Sequence, residues 1–250
     1  TPGLVATVAS RSTMMVGSAA AMACDEAIRR GHQLAAHVLE ASADDIQFDQ
    51  GRYRVVGTDQ EVPLMELTAR LAAMGAVPQG LPGSLDNVAK FVSSGMTFPN
   101  GCHVCEVEID PDTGSVQVVR YTAVDDVGVM LNPSVIEGQI MGGVAQGLGQ
   151  VLGERLHYDA QGQLLTASFM DYPLPRADTV PYMTIVHHSV PCTTNPLGVK
   201  GAGESGVAGA LPSAINAILH ALSHAGVTQL DLPFTSERVW QALRQAQQVA

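Results

Sequence analysis

Hydrophobic residues recur with the spacing of helices and strands along the first part of the chain. Residues 18–39 are rich in alanine, with larger apolar side chains among charged ones, which predicts a helix capped by Ser18. Apolar and polar residues alternate at 46–48 and again at 53–56, on either side of a Gln-Gly pair, and this predicts a β-hairpin. A second helix is expected from about residue 63 to about residue 75.

Prolines and glycines interrupt any periodicity between residues 75 and 100, and this stretch is the predicted boundary between two halves. We expect a first half, 1–90, built as helix, hairpin and helix, and a second half, 91–250. The mixture of helical and strand periods, with this boundary, predicts an α+β fold in two halves.

The second half begins with a predicted hairpin. Residues 102–109 and 115–125 have strand character, and Asp-Pro-Asp-Thr-Gly at 110–114 predicts the turn between them. Six glycines in the segment 133–153 are too many for a solvent-exposed helix, so something is expected to approach its backbone closely. A last helix is predicted from Pro212 to about His224.

Composition and charge narrow the functional classes. The 250 residues are 46% hydrophobic, and 24 acidic against 13 basic residues give a net charge of −11. Such a chain can bury a core, and its charge repels phosphates, so nucleic acid is not an expected partner. Neither a long uninterrupted apolar run nor a signal-peptide pattern is visible, so we expect no membrane insertion and predict a cytoplasmic location.

Cysteines and the first residue offer two further candidates. The four cysteines are too few for a disulfide framework. Cys102 and Cys105 have the spacing of half a zinc or iron–sulfur site, but no second pair follows, and ordinary strand residues are the favoured interpretation. Thr1 could be an N-terminal nucleophile, although most chains that begin with threonine do so through processing.

The segment 198–206, Gly-Val-Lys-Gly-Ala-Gly-Glu-Ser-Gly, is the most informative part of the chain. Glycines let backbone N–H groups face a ligand, and a following helix adds partial positive charge, which suits an anionic or highly polar cofactor. Glu204 stands among these glycines either as a catalytic base or as an acid favoured by the helix dipole.

Two common glycine motifs compete for this segment. The phosphate-binding loop ends in Gly-Lys-Ser/Thr, whereas Lys200 precedes the paired glycines, so that motif is excluded. Gly201-x-Gly203-x-x-Gly206 matches the dinucleotide pattern, but that motif directly follows a strand, and the prolines of the preceding loop disfavour one. A nicotinamide-dependent oxidoreductase therefore stays an alternative.

Seven motifs in a fixed order extend over nearly the whole chain. They are Ser10-Arg11-Ser12-Thr13 with Gly17-Ser18-Ala19, Asp110-Pro111-x-Thr113-Gly114, Asn132-Pro133, Gly138-Gln139-Ile140-x-Gly142-Gly143, Gln146-Gly147, Asp171-Tyr172-x-Leu174-Pro175, and Gly198-x-Lys200-Gly201-x-Gly203-Glu204. In this order they resemble the large, molybdopterin-binding subunits of the xanthine dehydrogenase, aldehyde oxidase and aerobic carbon-monoxide dehydrogenase family.

The resemblance implies the chemistry of a molybdenum hydroxylase. The glutamate of the last motif is the family's general base, so the resemblance gives this role to Glu204. It implies that Glu204 takes a proton from a molybdenum-bound hydroxyl, that the oxygen attacks an electron-poor carbon of an aldehyde or N-heterocycle, and that a hydride passes to a sulfido ligand. The pterin dithiolene supplies the metal's sulfur ligands, so no side chain is expected to bind the metal.

The resemblance also implies contacts with a molybdenum–molybdopterin cofactor, with or without a cytosine dinucleotide. It further implies that the two halves are interlocked mixed α/β subdomains of one molybdenum-cofactor-binding domain. Both halves then bind the cofactor, and the second carries the catalytic glycine-rich loop. The residues implied in cofactor binding are Gln139, Gly203, Ser10, Arg11, Ser12, Thr13, Gly142, Gly143 and, in a supporting role, Lys200.

Family large subunits are much longer than this chain, which implies partners. The expected ones are the remaining N-terminal portion of the large subunit, an iron–sulfur subunit, a flavin subunit with FAD, and a small-molecule substrate. The residues that choose among N-heterocycles, aldehydes and purines are expected upstream. The alternative from another class is a noncatalytic assembly homologue, against which the presence of both Glu204 and Gln139 argues.

Overall fold

The computed structural model describes residues 7–75 and 77–249, so Thr1 lies outside the described residues. Contacts divide the chain into two compact units, one of residues 15–93 and one that joins residues up to 14 with residues from 94 onward. The assignment of 1–90 and 91–250 as cofactor-binding subdomains stays a prediction.

The smaller unit contains two helices and a three-stranded antiparallel sheet. The order is α1 (Ser18–Val38), β1 (Ile46–Asp49), β2 (Arg52–Val55), β3 (Glu61–Pro63) and α2 (Leu64–Met74). Both predicted helices and the hairpin are confirmed, whereas β3 was not predicted from its three residues.

Tyr53 organises the core of the smaller unit. Its ring is fully buried, and its hydroxyl donates to the carbonyl of Ile28 at 3.2 Å. A Cβ atom at Gly31 would lie 1.8 Å from that hydroxyl, so α1 approaches the sheet only because residue 31 is glycine. The prediction that Ser18 caps α1 is wrong: Gly17 occupies the cap position, and the buried Ser18 hydroxyl has no hydrogen-bond partner among the described residues.

The larger unit is built on a mixed three-stranded sheet in the order β4-β5-β6. The antiparallel strands β4 (Asn100–Ile109) and β5 (Val116–Asp126) form the predicted hairpin, and β6 (Met183–His187), which was not predicted, runs parallel to β5. In the turn, Asp110 accepts hydrogen bonds from the amide of Asp112 and the hydroxyl of Thr113. Cys102 and Cys105 lie on β4, as predicted for strand residues, and neither is in a disulfide.

Three helices complete the larger unit: α3 (Pro133–Leu152), α4 (Ser205–Ser223) and α5 (Ser236–Val249). A Cβ atom at Gly143 would lie 2.8 Å from the amide nitrogen of Val207, and one at Gly147 would lie 2.5 Å from the Cβ of Ala210. The close approach predicted for the glycine-rich segment is therefore made by α4. We call this contact of Gly143 and Gly147 with α4 the glycine seam.

The helix predicted to begin at Pro212 begins at Ser205, and Pro212 lies inside α4. Proline usually marks a first turn because it has no N–H. Here the helix begins earlier, because Gly206 packs on α3 so closely that a Cβ atom there would lie 2.3 Å from the carbonyl oxygen of Ile140. By length and hydropathy alone α4 could cross a membrane, but its buried side chains belong to the core of the larger unit. The amphipathic helix α5 was not predicted from the sequence.

Candidate functional site

A cavity of about 480 Å³ lies in the larger unit where the glycine-rich loop meets α3 and the N-terminal segment. Its walls come from residues 7–13, 127–139 and 199–204. Seven residues predicted for the site line it together: Ser10, Ser12, Thr13, Gln139, Lys200, Gly203 and Glu204. One side of the wall is apolar and formed by Val127, Val129, Leu131, Val135 and Ile136.

The glycine-rich loop is held at its base by backbone hydrogen bonds. The carbonyl of Gly198 accepts from the amides of Val129 and Cys192, both at 2.9 Å, and the amide of Lys200 donates to the carbonyl of Val127 at 2.8 Å. Gly198 has a φ of +66°, a conformation that glycine adopts without strain. These hydrogen bonds therefore fix the base of the loop to the residues that follow β5.

Asn195 fixes the same base with its side chain. The side-chain amide donates to the carbonyl of Val199 at 3.0 Å, and its oxygen accepts from the amide of Val199 at 3.2 Å. Asn195 is buried, so both backbone groups of Val199 are satisfied away from water.

Asp126, the last residue of β5, pairs with Lys200. One carboxylate oxygen accepts from the Lys200 ammonium group, and the other accepts from the amides of Gly128 at 2.9 Å and Val190 at 3.0 Å. Burial alone would raise the pKa of Asp126, but these hydrogen bonds and the charge of Lys200 outweigh it and lower the pKa to about 2. The positive charge of Lys200 on the cavity wall is therefore balanced by the carboxylate of Asp126.

Two glycines of the loop press against Ser10. A Cβ atom at Gly201 would lie 2.6 Å from the Cβ and 2.7 Å from the carbonyl oxygen of Ser10. One at Gly203 would lie 3.1 Å from the Ser10 hydroxyl oxygen and 3.4 Å from Oε1 of Gln139. The absence of Cβ atoms thus brings the backbone of the loop, the N-terminal segment and α3 together.

Glu204 occupies the position just before α4. Its carbonyl accepts the amide of Ala208 at 3.1 Å, while its side chain makes no capping hydrogen bond. The residue is exposed and lines the cavity. The carboxylate is therefore available to a ligand in the cavity and is not consumed in starting the helix.

Three predicted site residues are absent from the cavity wall that the described residues form. Arg11 is half-buried beside it. Gly143 belongs to the glycine seam, whereas Gly142 is exposed and a Cβ there would meet nothing within 4 Å. The cofactor contacts predicted for these three residues stay predictions.

The dinucleotide alternative requires a strand that leads directly into its first glycine. Here β6 ends at His187, and the residues between it and Gly201 form an irregular loop whose one bridge pairs Val199 with Gly128. The local geometry therefore does not match a dinucleotide fingerprint.

Sequence reasoning missed Asp126 and Asn195. The partner of Asp126 lies 74 residues away along the chain, so no local spacing connects the two. Asn195 precedes a proline in a loop, and an asparagine that can bond to nearby backbone is the one signal that the sequence offered.

Comparisons with known proteins agree with the motif pattern. A family model described as a molybdopterin cofactor-binding domain matches residues 1–181. The chain is 38% identical over 239 residues to the carbon monoxide dehydrogenase large chain of Hydrogenophaga pseudoflava, covering 96% of this chain and 30% of that protein. It is 36% identical over 240 residues to the nicotine 6-hydroxylase large subunit of Paenarthrobacter nicotinovorans, covering 95% and 29%.

Solved structures of related enzymes are also similar to this chain over most of its length. CO dehydrogenase from Oligotropha carboxidovorans matches with a TM-score of 0.86 and 33% identity over 98% of this chain and 30% of that one. Quinoline 2-oxidoreductase from Pseudomonas putida 86 matches with a TM-score of 0.82 and 36% identity over 96% and 31%. These structures share the α+β fold, and the chain spans about 30% of the length of the curated relatives named above.

Proposed function

Because the chain belongs to the molybdopterin cofactor-binding domain family, we propose that it forms one wall of the molybdenum site in a molybdenum-dependent oxidoreductase of the hydroxylase type. The observation that carries the proposal is the convergence of Glu204, Gln139 and the Ser10 segment on one cavity. These residues lie far apart in the sequence, and their convergence places an exposed carboxylate, an amide and bare glycine backbone around one cavity, as in a site for a polar ligand.

The cavity residues fit a molybdenum–molybdopterin cofactor. Hydroxyls of Ser10, Ser12 and Thr13 and the amide of Gln139 supply donors and acceptors for a polar heterocycle. Gly203 has no Cβ where one would crowd Ser10 and Gln139, so a ligand can reach its backbone. Among the described residues no group of three or more His, Cys, Asp or Glu side chains could hold a metal ion, and in this proposal the sulfur atoms of the pterin would hold the metal.

When bound, this cofactor would supply a molybdenum centre that polarises its oxygen ligand and takes up a hydride on sulfur as the metal is reduced. Glu204 would accept the proton that the attacking oxygen gives up. For this its carboxylate must be unshared with other groups, as its exposure and its lack of a capping bond allow. Gln139 and Ser10 would orient the cofactor, and Lys200, paired with Asp126, would support the loop.

The proposal extends to the rest of the protein. We propose an electron-poor carbon of an aldehyde or N-heterocycle as the site of oxidation, with water as the oxygen source. The upstream portion of a large subunit would complete the substrate pocket, electrons would leave to iron–sulfur and flavin chains with FAD, and the cofactor could carry a cytosine dinucleotide. A cytoplasmic location remains part of this proposal.

The test is Glu204→Gln in the natively purified protein with all chains that co-purify. Glutamine keeps size and hydrogen bonding but cannot take up the proton. Turnover with an artificial electron acceptor, normalised to bound molybdenum, should fall at least about a hundredfold, or ~2.7 kcal/mol of barrier. Glu237→Gln is the matched control because Glu237 likewise lies at the start of a helix, in the first turn of α5, but not on the cavity.

Two results would contradict the proposal. A normalised rate within about threefold of wild type would show that Glu204 is not the base. Purified protein without stoichiometric molybdenum and pterin would favour the noncatalytic assembly homologue. Metal analysis and fluorescence of the released, oxidised pterin make that second measurement without any assay of turnover.

A further inference from the structure

The central strand of the larger unit, β5, ends with two consecutive aspartates that contact different side chains. Successive side chains of a strand point to opposite faces, so Asp125 and Asp126 reach separate parts of the structure. Both are buried. Asp126 reaches the loop before Glu204, and Asp125 reaches the elements that pack on α4 after it.

The contact before Glu204 is the pairing of Asp126 with Lys200, four residues earlier in the chain. Both side chains are 12% exposed. Because Asp126 also accepts two backbone amides, its carboxylate cannot follow Lys200 if the loop moves. The pair therefore fixes the loop to the end of β5.

The contact after Glu204 is a buried chain of side chains. The Asp125 carboxylate lies 3.3 Å from Nε2 of His103, and Nδ1 of His103 lies 2.8 Å from the hydroxyl of Tyr121. That hydroxyl lies 3.0 Å from the hydroxyl of Ser213 on α4. The side chains of His103 and Asp125 are 4% and 3% exposed, so their contact is largely shielded from water.

The two ends of this chain of contacts differ in kind. At one end, Nε2 of His103 can donate to the acceptor oxygens of Asp125. Burial raises the pKa of Tyr121 to about 12, so its hydroxyl keeps its proton and can donate along the chain of contacts. At the other end, the Ser213 hydroxyl donates to the carbonyl of Ala210 at 3.2 Å, which ties the contacts to the backbone of α4.

His103 also meets the backbone of α4. A Cβ atom at Gly209 would lie 2.3 Å from Nδ1 of His103, so the imidazole ring rests directly on the helix. Ser213 adds a hydrogen-bonded contact one turn further along the helix. A cavity of about 410 Å³ beside these residues is also lined by Ser205, the first residue after Glu204.

We infer that Asp125 and Asp126 are positioning residues that together fix the Glu204 segment, one through His103 and α4 and the other through Lys200. The inference rests on the proposed role of Glu204 as a base. Misplacement of a reacting group by about 1 Å costs roughly a hundredfold in rate, so loss of either contact should be visible in turnover.

The experiment compares Asp125→Asn and Asp126→Asn with the control Glu108→Gln in the natively purified protein. Glu108 is an exposed carboxylate on β4 of the same hairpin. Each aspartate variant should lower kcat by about tenfold to a hundredfold, while KM and molybdenum content stay near wild type. Hydrogen exchange of the amides at 200–213 should accelerate in both variants, and the control should change neither readout.

The outcomes separate this inference from the proposed function. Turnover within about threefold of wild type, or unchanged exchange at 200–213, in either aspartate variant would overturn it. If Glu204→Gln is inactive while the aspartate variants are not, only the positioning role fails; if Glu204→Gln stays active, the proposed function fails. If Asp125→Asn does not fold, Ser213→Ala removes only the contact of Tyr121 with α4. Hydrogen exchange of the amides at 205–213 must then be faster in Ser213→Ala than in wild type, or the inference is wrong.

Discussion

Oε1 of Gln139 lies 3.4 Å from the point where residue 203 would carry a Cβ atom if it were not glycine. The Ser10 hydroxyl oxygen lies 3.1 Å from the same point. The polar groups proposed to hold the cofactor therefore surround a backbone position that tolerates no side chain without displacing one of them.

We predict that Gly203→Ala and Gly201→Ala differ in what they damage. At Gly203 the nearest atoms are the ends of Ser10 and Gln139, which can shift, so the alanine should cost little stability but lower cofactor content. At Gly201 the obstruction is the Ser10 backbone, so we expect a loss of about 1–3 kcal/mol in unfolding free energy. Thermal unfolding with molybdenum analysis checks both, and equal destabilisation would contradict the distinction.

Neighbouring glycines of α3 should respond in opposite directions. Gly143→Ala would press on the amide of Val207 across the glycine seam and should cost about 1–3 kcal/mol. Gly142→Ala enters open space and should add up to about 1 kcal/mol of helix propensity. Melting temperatures of the two variants, each compared with wild type, test these opposite changes in stability. A fall in molybdenum content of Gly142→Ala without loss of stability would support the cofactor contact predicted for Gly142.

The Asp126 pair predicts an acid-dependent loss of stability. The folded pKa of Asp126 is about 2, below the roughly 3.9 of an unfolded aspartate, so ionised Asp126 stabilises the fold above about pH 4. This contribution, on the order of 2 kcal/mol, should disappear as the pH falls from about 4 to 2. Denaturant unfolding across this range should show wild type converging on Asp126→Asn. A constant difference between the two would refute the assignment.

The β4–β5 turn gives a paired test of packing. Gly114 and Gly162 both have positive φ values, +71° and +82°, so alanine is strained at either by about 1–2 kcal/mol. At Gly114 a Cβ would also lie 2.5 Å from the amide nitrogen of Trp240 on α5, whereas at Gly162 it meets nothing within 4 Å. Gly114→Ala should thus unfold at a clearly lower temperature than Gly162→Ala. Equal melting temperatures would mean that the turn does not rest on α5 in solution.

Local signals in the sequence were sufficient where an element is decided by its own residues. Alanine-rich periodicity gave α1, and the Asp-Pro-Asp-Thr-Gly turn gave the β4–β5 hairpin. The positions of α5, β6 and the start of α4 depend on packing against distant segments, which propensity does not encode. Pro212 in particular is a misleading helix-start signal, overruled by the contact of Gly206 with α3.

The candidate site divides in the same way. Seven residues that line the cavity could be named because they occur in ordered motifs on which the resemblance rests. Asp126, Asn195 and His103 belong to none of these motifs, and their partners are known only once strands and loops are assembled. Polar groups on the cavity wall could therefore be predicted, whereas the residues that support them could not.

The glycine seam makes α3 and α4 a single stiff block, with Gln139 on one helix and Glu204 at the head of the other. A partner that closes over the cavity would add groups to this pair without changing how the two helices meet. We therefore expect differences in substrate among related proteins to arise in the surface that faces this block. Transplanting that facing surface between relatives, with this block left untouched, is the engineering route that the glycines favour.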